Sequence, residues 1–240
     1  MTATKQLPIP TMMRLREHLN TADVGNIEPL ADMQVHLAER VICAPEPNPL
    51  RFVTGVDIAY SQDEGDPAHV AALTMDIQTN EIVECIHSSF LPAFPYTPGF
   101  LAYREVLPAA DLITGLNIIP DVVLYDGNGT LHPRRCGAAC YLGLLTDLPT
   151  VGVSKNPPMG VARNCIMDKE KYQLIDSIDI GLGAAVQTGG STRAIYISIG
   201  HKAELDWAVG LVRRLSRFRL PEPLRLADIE TRRVRDRPTG

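Results

Sequence analysis

The sequence has few cysteines, and their spacing matches no common scaffold. The chain of 240 residues contains five, an odd number, without a CxxC pair. This argues against a disulfide framework and indicates reduced thiols in a cytoplasmic protein. His132, Cys136 and Cys140 follow one another at intervals of four residues. No clear fourth ligand accompanies them, so we reject a zinc site.

Long apolar runs and several familiar motifs are also missing. No run approaches the roughly 20 residues that span a bilayer, and the first residues lack the apolar core of a signal peptide. We therefore expect no membrane partner. The glycine pairs near residues 181–190 match neither a dinucleotide-binding nor a phosphate-loop fingerprint. A G-x-S-x-G nucleophile elbow is absent too.

Net charge is small, at −5, which argues weakly against a nucleic-acid partner. The distribution weakens that argument, because residues 210–240 hold nine arginines against four acids. A basic C-terminal surface suits phosphate contacts. A solvated helix face with a frayed tail explains the same pattern, and both interpretations stay open.

The hydrophobic pattern predicts one mixed-sheet α/β domain. We expect a weakly ordered arm over residues 1–27, one domain over 28–230 and a basic tail over 231–240. Three antiparallel strands should come first, followed by a strand–helix–strand unit. The expected helices are 30–41, 100–106 with a break or kink at Pro108, 133–146 and 203–217, and the expected strands are 52–60, 69–77, 81–90, 121–126, 150–155, 184–186 and 194–199.

Two acids lie in or at the end of expected strands. Asp57 is inside the first strand, and Asp126 ends the fourth. A carboxylate among apolar neighbours is costly to bury unless it is paired or binds a cation. If the two strands are adjacent, both acids point at one spot, where a hard cation such as Mg²⁺ would remove their repulsion. The alternative is that each acid caps a turn or pairs with an arginine.

The segment before Glu105 contains a stiff aromatic loop. Pro95 and Pro98 restrict the backbone around Tyr96 and hold its ring outward. An exposed rigid ring beside a cation site suits stacking or wedging between bases, unless Tyr96 packs back on the core. Glu105 itself is a candidate ligand or a solvated helix charge.

Asp126 opens a run that also supplies basic groups. Gly127 and Gly129 leave backbone N–H groups open to a ligand, and His132 follows six residues after Asp126. Such a histidine can act as an acid or base or hold a phosphate, although a lone histidine is more often structural. Lys155, at the end of the fifth strand, can stabilise charge on a phosphoryl group or lie on the surface. Arg134 and Arg135 follow His132 and add two fixed cations.

Taken together, these motifs resemble the endonuclease V family. The resemblance spans residues 30 to 230, with the motifs in the family's order. They are Gln34-Val35-His36-Leu37-Ala38, Val56-Asp57, the segment 94–101, Arg104-Glu105, Asp126-Gly127-Asn128-Gly129, His132-Pro133-Arg134-Arg135, Gly152-Val153-Ser154-Lys155, Gly200-His201 and 219–223.

The resemblance implies an RNase H-like fold, a mixed central sheet flanked by helices. It also implies a monomeric, Mg²⁺-dependent DNA repair phosphodiesterase, with Mn²⁺ expected to substitute. The partner would be DNA that contains deoxyinosine, which carries the deaminated base hypoxanthine. The family cuts the second phosphodiester bond 3′ to the lesion and leaves a 3′-hydroxyl and a 5′-phosphate.

Carried over by position, the resemblance also assigns roles to residues. The implied metal-binding acids are Asp57, Glu105 and Asp126, and the implied groups at the scissile phosphate are His132 and Lys155. The implied substrate-binding positions are the wedge Pro95, Tyr96, Thr97 and Pro98, then Gly99, Gly127 and Gly129 at the flipped base, and Arg104.

Two positions depart from the family pattern. Asn128 stands where the family usually has histidine, and Tyr141 replaces a common histidine. We expect activity to survive with an altered rate or metal preference, because neither position is an implied metal carboxylate. Two other functions stay open: an endoribonuclease specific for inosine, and a catalytically silent nucleic-acid-binding homologue.

Overall fold

A computed structural model describes residues 9–61, 65–158, 171–177, 179 and 181–237. The helices are α1 (Ile9–Asn20), α2 (Glu28–Ala38), α3 (Leu101–Thr114), α4 (Ala138–Thr146), α5 (Leu205–Leu215) and α6 (Glu222–Arg235). The strands are β1 (Phe52–Ala59), β2 (Ala68–Asp76), β3 (Glu81–Phe90), β4 (Val122–Asp126), β5 (Thr150–Ser154), β6 (Tyr172–Ser177), β7 (Gly181–Val186) and β8 (Ile195–His201).

The eight strands form one mixed sheet in the order β3-β2-β1-β4-β5-β8-β7-β6. β1, β2 and β3 are antiparallel, as predicted, and β4 and β5 run parallel to β1. β8, β7 and β6 then continue the sheet with antiparallel pairs. The predicted α/β fold with an RNase H-like mixed sheet is confirmed. The ends of β1, β4 and β5 meet at the middle of one edge, where parallel strands collect functional groups.

Helices cover both faces of the sheet. On one face, buried side chains of α1, α2, α3 and α4 pack against β1, β2 and β4. On the other, α5 packs against β4, β5, β7 and β8, while α6 lies on β1 and β2. Burial of both faces explains why the central strands read as nearly continuous apolar runs. In the described parts of the chain, no helix is long and apolar enough to cross a membrane.

Two helix predictions were wrong. α3 passes through Pro108 and ends at Thr114. Ala109 and Ile113, beyond the proline, are buried in the core, and this burial offsets the lost backbone hydrogen bond. α4 starts at Ala138, because Arg135 adopts a left-handed conformation (φ 53°) and interrupts any helix begun at residue 133.

Both chain ends also differ from expectation. Residues 9–20 form α1, and its Leu15 and Leu19 are buried in the core, so this part of the expected arm is a packed helix. Residues 1–8 lie outside the described residues. At the other end, α6 continues to Arg235 with Thr231 fully buried. The expected boundary at residue 230 therefore falls inside a helix.

Candidate active site

Asp57 and Asp126 lie side by side because their strands are neighbours. In the parallel pairing of β1 with β4, Val56 is opposite Tyr125. The next residue of each strand is the acid, so the two carboxylates occupy equivalent positions at one edge of the sheet. Asp57 is 4% exposed, which makes an ionised carboxylate there costly without a counter-charge.

Lys155 supplies such a charge from the end of β5. Its Nζ lies 2.7 Å from Asp126 Oδ2 and 3.9 Å from Asp57 Oδ1. A third carboxylate, Asp228 of α6, has Oδ1 2.7 Å from the same Nζ. Burial alone would lower the pKa of Lys155, but the surrounding acids raise it above its ordinary value. The lysine is therefore a fixed cation within the cluster.

Asp228 completes a group of three carboxylates. One oxygen from each of Asp57, Asp126 and Asp228 lies within 4.8 Å of the others. Sequence reasoning misses Asp228, which counts there only among the charges of the C-terminal segment. The available signal is the helical spacing of Leu224, Ala227 and Thr231, all buried in α6, which places Asp228 at the edge of the buried face.

α6 is held close to β1 at two points. A Cβ at Gly55 would lie 2.3 Å from the Pro223 backbone, so only glycine permits this approach. One helical turn beyond Asp228, the Thr231 hydroxyl donates a hydrogen bond of 2.8 Å to Asp57 Oδ2. α6 thus contributes Asp228 to the cluster and, through Thr231, orients Asp57.

Glu105, which the resemblance implies as a metal-binding acid, is not one of these three acids. It is buried on α3, and its two oxygens each accept a 2.7 Å hydrogen bond from a phenol, one from Tyr60 and one from Tyr125. Burial raises the pKa of Glu105 to about 7, and the charge of Asp126 adds to this, while the two hydroxyls oppose it. Glu105 is therefore close enough to influence Asp126 without belonging to the three-acid group.

The donor set fits a hard divalent cation. The three acidic side chains offer only oxygen donors, while Lys155 lies among them and Arg232 pairs with Asp228. Burial, followed by the hydrogen bond and charge of Asp126, raises the pKa of Asp57 far above its ordinary value. Oxygen-only carboxylate sites of this kind suit Mg²⁺ or Mn²⁺, whose charge also favours loss of the Asp57 proton.

We expect the metal-free protein to lose stability as pH rises from about 6.5 through 7 and above. Glu105, with its pKa raised to about 7, and Asp57 keep protons in the folded state that the unfolded chain has already lost. Below pH 6.5 an opposite contribution offsets this trend, because burial lowers the pKa of His132 and His201 to about 4. Thermal unfolding at pH 6.5, 7.5 and 8.5 in EDTA measures the effect.

Mg²⁺ should remove most of that loss, since it replaces the protons among the carboxylates. The matched control is NaCl at equal ionic strength. An unfolding temperature that rises with pH in EDTA, or a Mg²⁺ effect no larger than that of NaCl, would contradict the prediction.

A cavity of about 300 Å³ is bordered by residues next in sequence to the cluster. One wall is the segment from Tyr96 to Gly99, and another includes Gly137 and Ala138 at the start of α4. Ser154, directly before Lys155, also borders it. The volume falls within the range of small-molecule sites.

The proline-rich loop presents its tip to solvent. Tyr96 is 71% exposed, whereas Phe94 and Phe100 at the two ends are buried. The phenylalanines pack around Tyr103, with ring centroids 5.7 and 6.1 Å from its own. The predicted outward placement of Tyr96 therefore agrees with the structure.

His132 borders the cavity and lies apart from the carboxylates. Its Nε2 donates to the Gly99 carbonyl at 3.1 Å, and its Nδ1 accepts from the Arg134 backbone N–H at 3.2 Å. Burial, with the charge of Arg134, lowers the pKa of His132 to about 4. The imidazole is thus neutral near pH 7, and its Nε2 is used in the hydrogen bond to the loop at Gly99.

The two glycines after Asp126 have their N–H groups occupied within the fold. Gly127 donates to the Val153 carbonyl at 3.3 Å, and Gly129 donates to Ser198 Oγ at 2.8 Å. The residue between them, Asn128, borders the cavity. The N–H groups that the sequence suggested were open to a ligand are therefore used within the fold.

Arg104, implied as a substrate-binding residue, and Arg135, noted as a fixed cation, both make contacts within the fold. Arg104 donates to the Phe94 carbonyl at 2.9 Å and lies over the Tyr60 ring at 4.5 Å. Arg135 reaches the Ser177 carbonyl at 3.4 Å. The arginines of α6 that the sequence offered for phosphate contact each pair with an acid on or adjoining that helix: Arg225, Arg232, Arg233 and Arg235.

Tyr141, one of the two departures from the family pattern, is a core residue. It is fully buried, and its hydroxyl donates to Tyr103 Oη at 2.9 Å. Tyr103 in turn donates to the Leu30 carbonyl and contacts His18 Nε2, both at 3.0 Å. Tyr141 therefore helps to join α4 to α3, α2 and α1.

Acids and a lysine gathered at one edge of a mixed α/β sheet are compatible with an enzyme that cleaves phosphodiester bonds. Comparison with known proteins is specific. A model of the Endonuclease V family matches residues 35–229. Endonuclease V of Roseiflexus sp. strain RS-1 is 36% identical over 197 residues, which cover 82% of this chain and 87% of that protein.

Solved structures agree with the sequence comparison. Human Endonuclease V superposes with a TM-score of 0.78 at 32% identity, covering 87% of this chain and 98% of that one. Ciona intestinalis Endonuclease V, in complex with a 24mer DNA containing an inosine followed by a ribo-adenosine, gives 0.75 at 26% identity, covering 87% and 97%. The chain belongs to the Endonuclease V family, whose members are nucleases, and the resemblance seen in its motifs is confirmed.

Proposed function

We propose that this protein is a Mg²⁺-dependent DNA repair endonuclease that recognises deoxyinosine. It hydrolyses the second phosphodiester bond 3′ to the lesion and leaves a 3′-hydroxyl and a 5′-phosphate. The observation that carries the proposal is the cluster of three acids, together with a base-sized cavity that the exposed aromatic loop and Ser154, the residue before Lys155, both border. Family membership supports the reaction class.

Asp57, Asp126 and Asp228 are the residues that would hold the cation, and Glu105 is a buried acid within electrostatic reach of Asp126. A bound divalent ion supplies a Lewis acid that activates water and stabilises the leaving oxygen. The protein's own part is to gather the carboxylates and orient them. Thr231 does this for Asp57 through its hydrogen bond, and Lys155 offsets the repulsion between Asp126 and Asp228.

Lys155 is the group we assign to the scissile phosphate. Its ammonium is held among acids at the carboxyl end of β5, so it is charged at every pH of interest. A fixed cation aimed at a phosphoryl oxygen stabilises the charge that develops there. For His132 we propose a place in the wall of the base cavity instead of the phosphate role implied by the resemblance, because its Nε2 is bonded to Gly99.

The cavity and the loop suit a base that leaves the duplex. Extrusion costs a few kcal/mol and is least costly for a mispaired base, which favours a deaminated base before any contact forms. The exposed ring of Tyr96, flanked by Pro95 and Pro98, is placed to fill the vacated space. Hypoxanthine carries an acceptor where adenine carries an amino donor. A buried donor in the cavity would therefore reward the lesion and leave adenine unpaired.

Cleavage of a labelled duplex with one central deoxyinosine tests the proposal. We expect a single cut at the second bond 3′ to the lesion, with Mg²⁺ and not with EDTA. The matched control is the same duplex with deoxyadenosine at that position. Failure to cut the deoxyinosine strand, or equal cutting of both duplexes, would overturn the proposal.

Inosine-containing RNA is the second candidate substrate. In the Ciona intestinalis complex, a ribonucleotide directly follows the inosine, which favours testing it here. Single strands of RNA and DNA that differ only in the sugar should be cut in parallel. Faster cleavage of the RNA strand would assign the protein to RNA.

A further inference from the structure

One backbone carbonyl at the base of the aromatic loop accepts three side-chain hydrogen bonds. Gly99 O receives Gln34 Nε2 at 3.0 Å, His132 Nε2 at 3.1 Å and Arg134 Nη2 at 2.9 Å. The donors come from α2 and from the segment after β4, which are far apart in sequence. A carbonyl oxygen has two lone pairs, so three donors from the protein use its full capacity to accept hydrogen bonds.

The three donors are themselves locked in place. Gln34 is 1% exposed, and its Oε1 accepts a hydrogen bond from Arg134 Nε. The Arg134 guanidinium also lies 4.5 Å from the centroid of the Phe100 ring. Gln34 thus hydrogen-bonds both to the Gly99 carbonyl and to Arg134, and Arg134 hydrogen-bonds to the same carbonyl. The three groups form a closed set of contacts.

The opposite end of the loop is anchored as well. Arg104 donates to the Phe94 carbonyl, and Phe94 is buried in the core. Between the anchors, the Phe100 N–H donates to the Thr97 carbonyl at 2.9 Å and closes a turn. Only the tip, with Tyr96, is exposed. The loop is therefore rigid, and the contacts at its two ends fix its position.

We propose that Gln34, together with His132 and Arg134, is a positioning residue that sets the Tyr96 loop against the base cavity and so controls discrimination between hypoxanthine and adenine. This inference deepens the proposed function and rests on it. Gln34 borders the cavity, but its two polar groups are used by the protein. It acts through Gly99 and not by contact with the carboxylates.

A positioning role should affect substrate binding and discrimination more than the rate of the chemical step. Loosening the loop should weaken capture of the flipped base and leave the acids unchanged. The effect should therefore appear in KM and in the ratio of cleavage rates for deoxyinosine and deoxyadenosine strands, with a smaller change in kcat. It should also appear in the substrate-free protein as faster amide exchange in the loop.

Two substitutions of Gln34 test the inference. Gln34→Leu removes both polar groups at similar size. Gln34→Glu keeps an acceptor for Arg134 but has no N–H for the Gly99 carbonyl, so the fold is retained while the bond is lost. For each, we expect exchange of the amides at residues 96, 97, 99 and 100 to rise about tenfold and the cleavage ratio to fall about tenfold.

Gln187→Leu is the matched control. Gln187 donates a comparable bond to the Thr192 carbonyl at 2.7 Å and does not border the cavity. We expect loop exchange and the cleavage ratio to stay within about twofold of the unmodified protein. Equal effects of the Gln34 and Gln187 variants, or an unchanged loop in both Gln34 variants, would overturn the inference. An unmodified protein without preference for deoxyinosine would defeat the proposed function instead, and amide exchange would still decide the positioning role.

Discussion

Replacing Asp228 by asparagine is expected to slow Mg²⁺-dependent cleavage by at least about 100-fold without unfolding the protein. Loss of groups that merely support a metal ligand costs roughly 10- to 100-fold, and Asp228 is placed to be a ligand itself. Asparagine keeps the shape and an acceptor for Lys155, whose Nζ lies 2.7 Å from Asp228 Oδ1. One negative charge is removed from the cluster, so Mn²⁺ affinity measured by calorimetry should fall with the single-turnover rate.

Asp236→Asn provides the control for this prediction. Asp236 directly follows α6, is largely exposed and pairs with Arg235. Its replacement should leave both metal affinity and cleavage near their original values, since a surface ion pair contributes little. If Asp228→Asn cuts at the original rate, the three-acid site is wrong, and Glu105 returns as the third ligand.

Gly129→Ala is expected to destabilise the protein strongly. A Cβ on Gly129 would lie 1.9 Å from the Ile199 carbonyl oxygen, far inside van der Waals contact. Relief requires β8 to move away from the loop after β4. Forced overpacking of this kind costs about 1–3 kcal/mol and occasionally more. Urea unfolding would measure the loss, and the hydrogen bond from Gly129 to Ser198 should weaken with it.

Gly210→Ala is the opposite case. Gly210 lies within α5, and a Cβ added there would meet no atom within 4 Å, so alanine should stabilise the helix by about 0.5–1 kcal/mol. A Gly129→Ala protein that unfolds like the original but no longer prefers deoxyinosine would show that this glycine contacts the base after all. Such a result would restore the role that the resemblance implied.

The acids of the two parallel strands show how far sequence reasoning reaches. Asp57 and Asp126 are recognisable because each interrupts an apolar strand, and burial of a charge demands a partner. Their convergence follows once β1 and β4 are taken as neighbours, which the register of the sheet confirms. Tyr96 is recognisable for a similar local reason, since flanking prolines restrict the backbone in any context.

Asp228 and Glu105 show where such reasoning stops. The helical spacing of Leu224, Ala227 and Thr231 puts Asp228 at the edge of a buried face, but only the packing of α6 against β1 shows that this edge meets Asp57 and Asp126. Glu105 looks equivalent to the other acids in the sequence, yet two phenols from distant segments hold its oxygens. The sequence likewise suggests a phosphate-binding role for His132, whereas its hydrogen-bond partner in the structure is a carbonyl 33 residues earlier.

The sequence by itself determined every described strand except β6, the family, and the acids Asp57 and Asp126, because hydrophobic period and the cost of burying charge act locally along the chain. Only the tertiary structure decided which third acid joins them, which glycines serve packing and what holds the aromatic loop. These features depend on contacts between residues as distant in sequence as Asp57 and Thr231. Such contacts contribute free energy only after the sheet has brought the segments together.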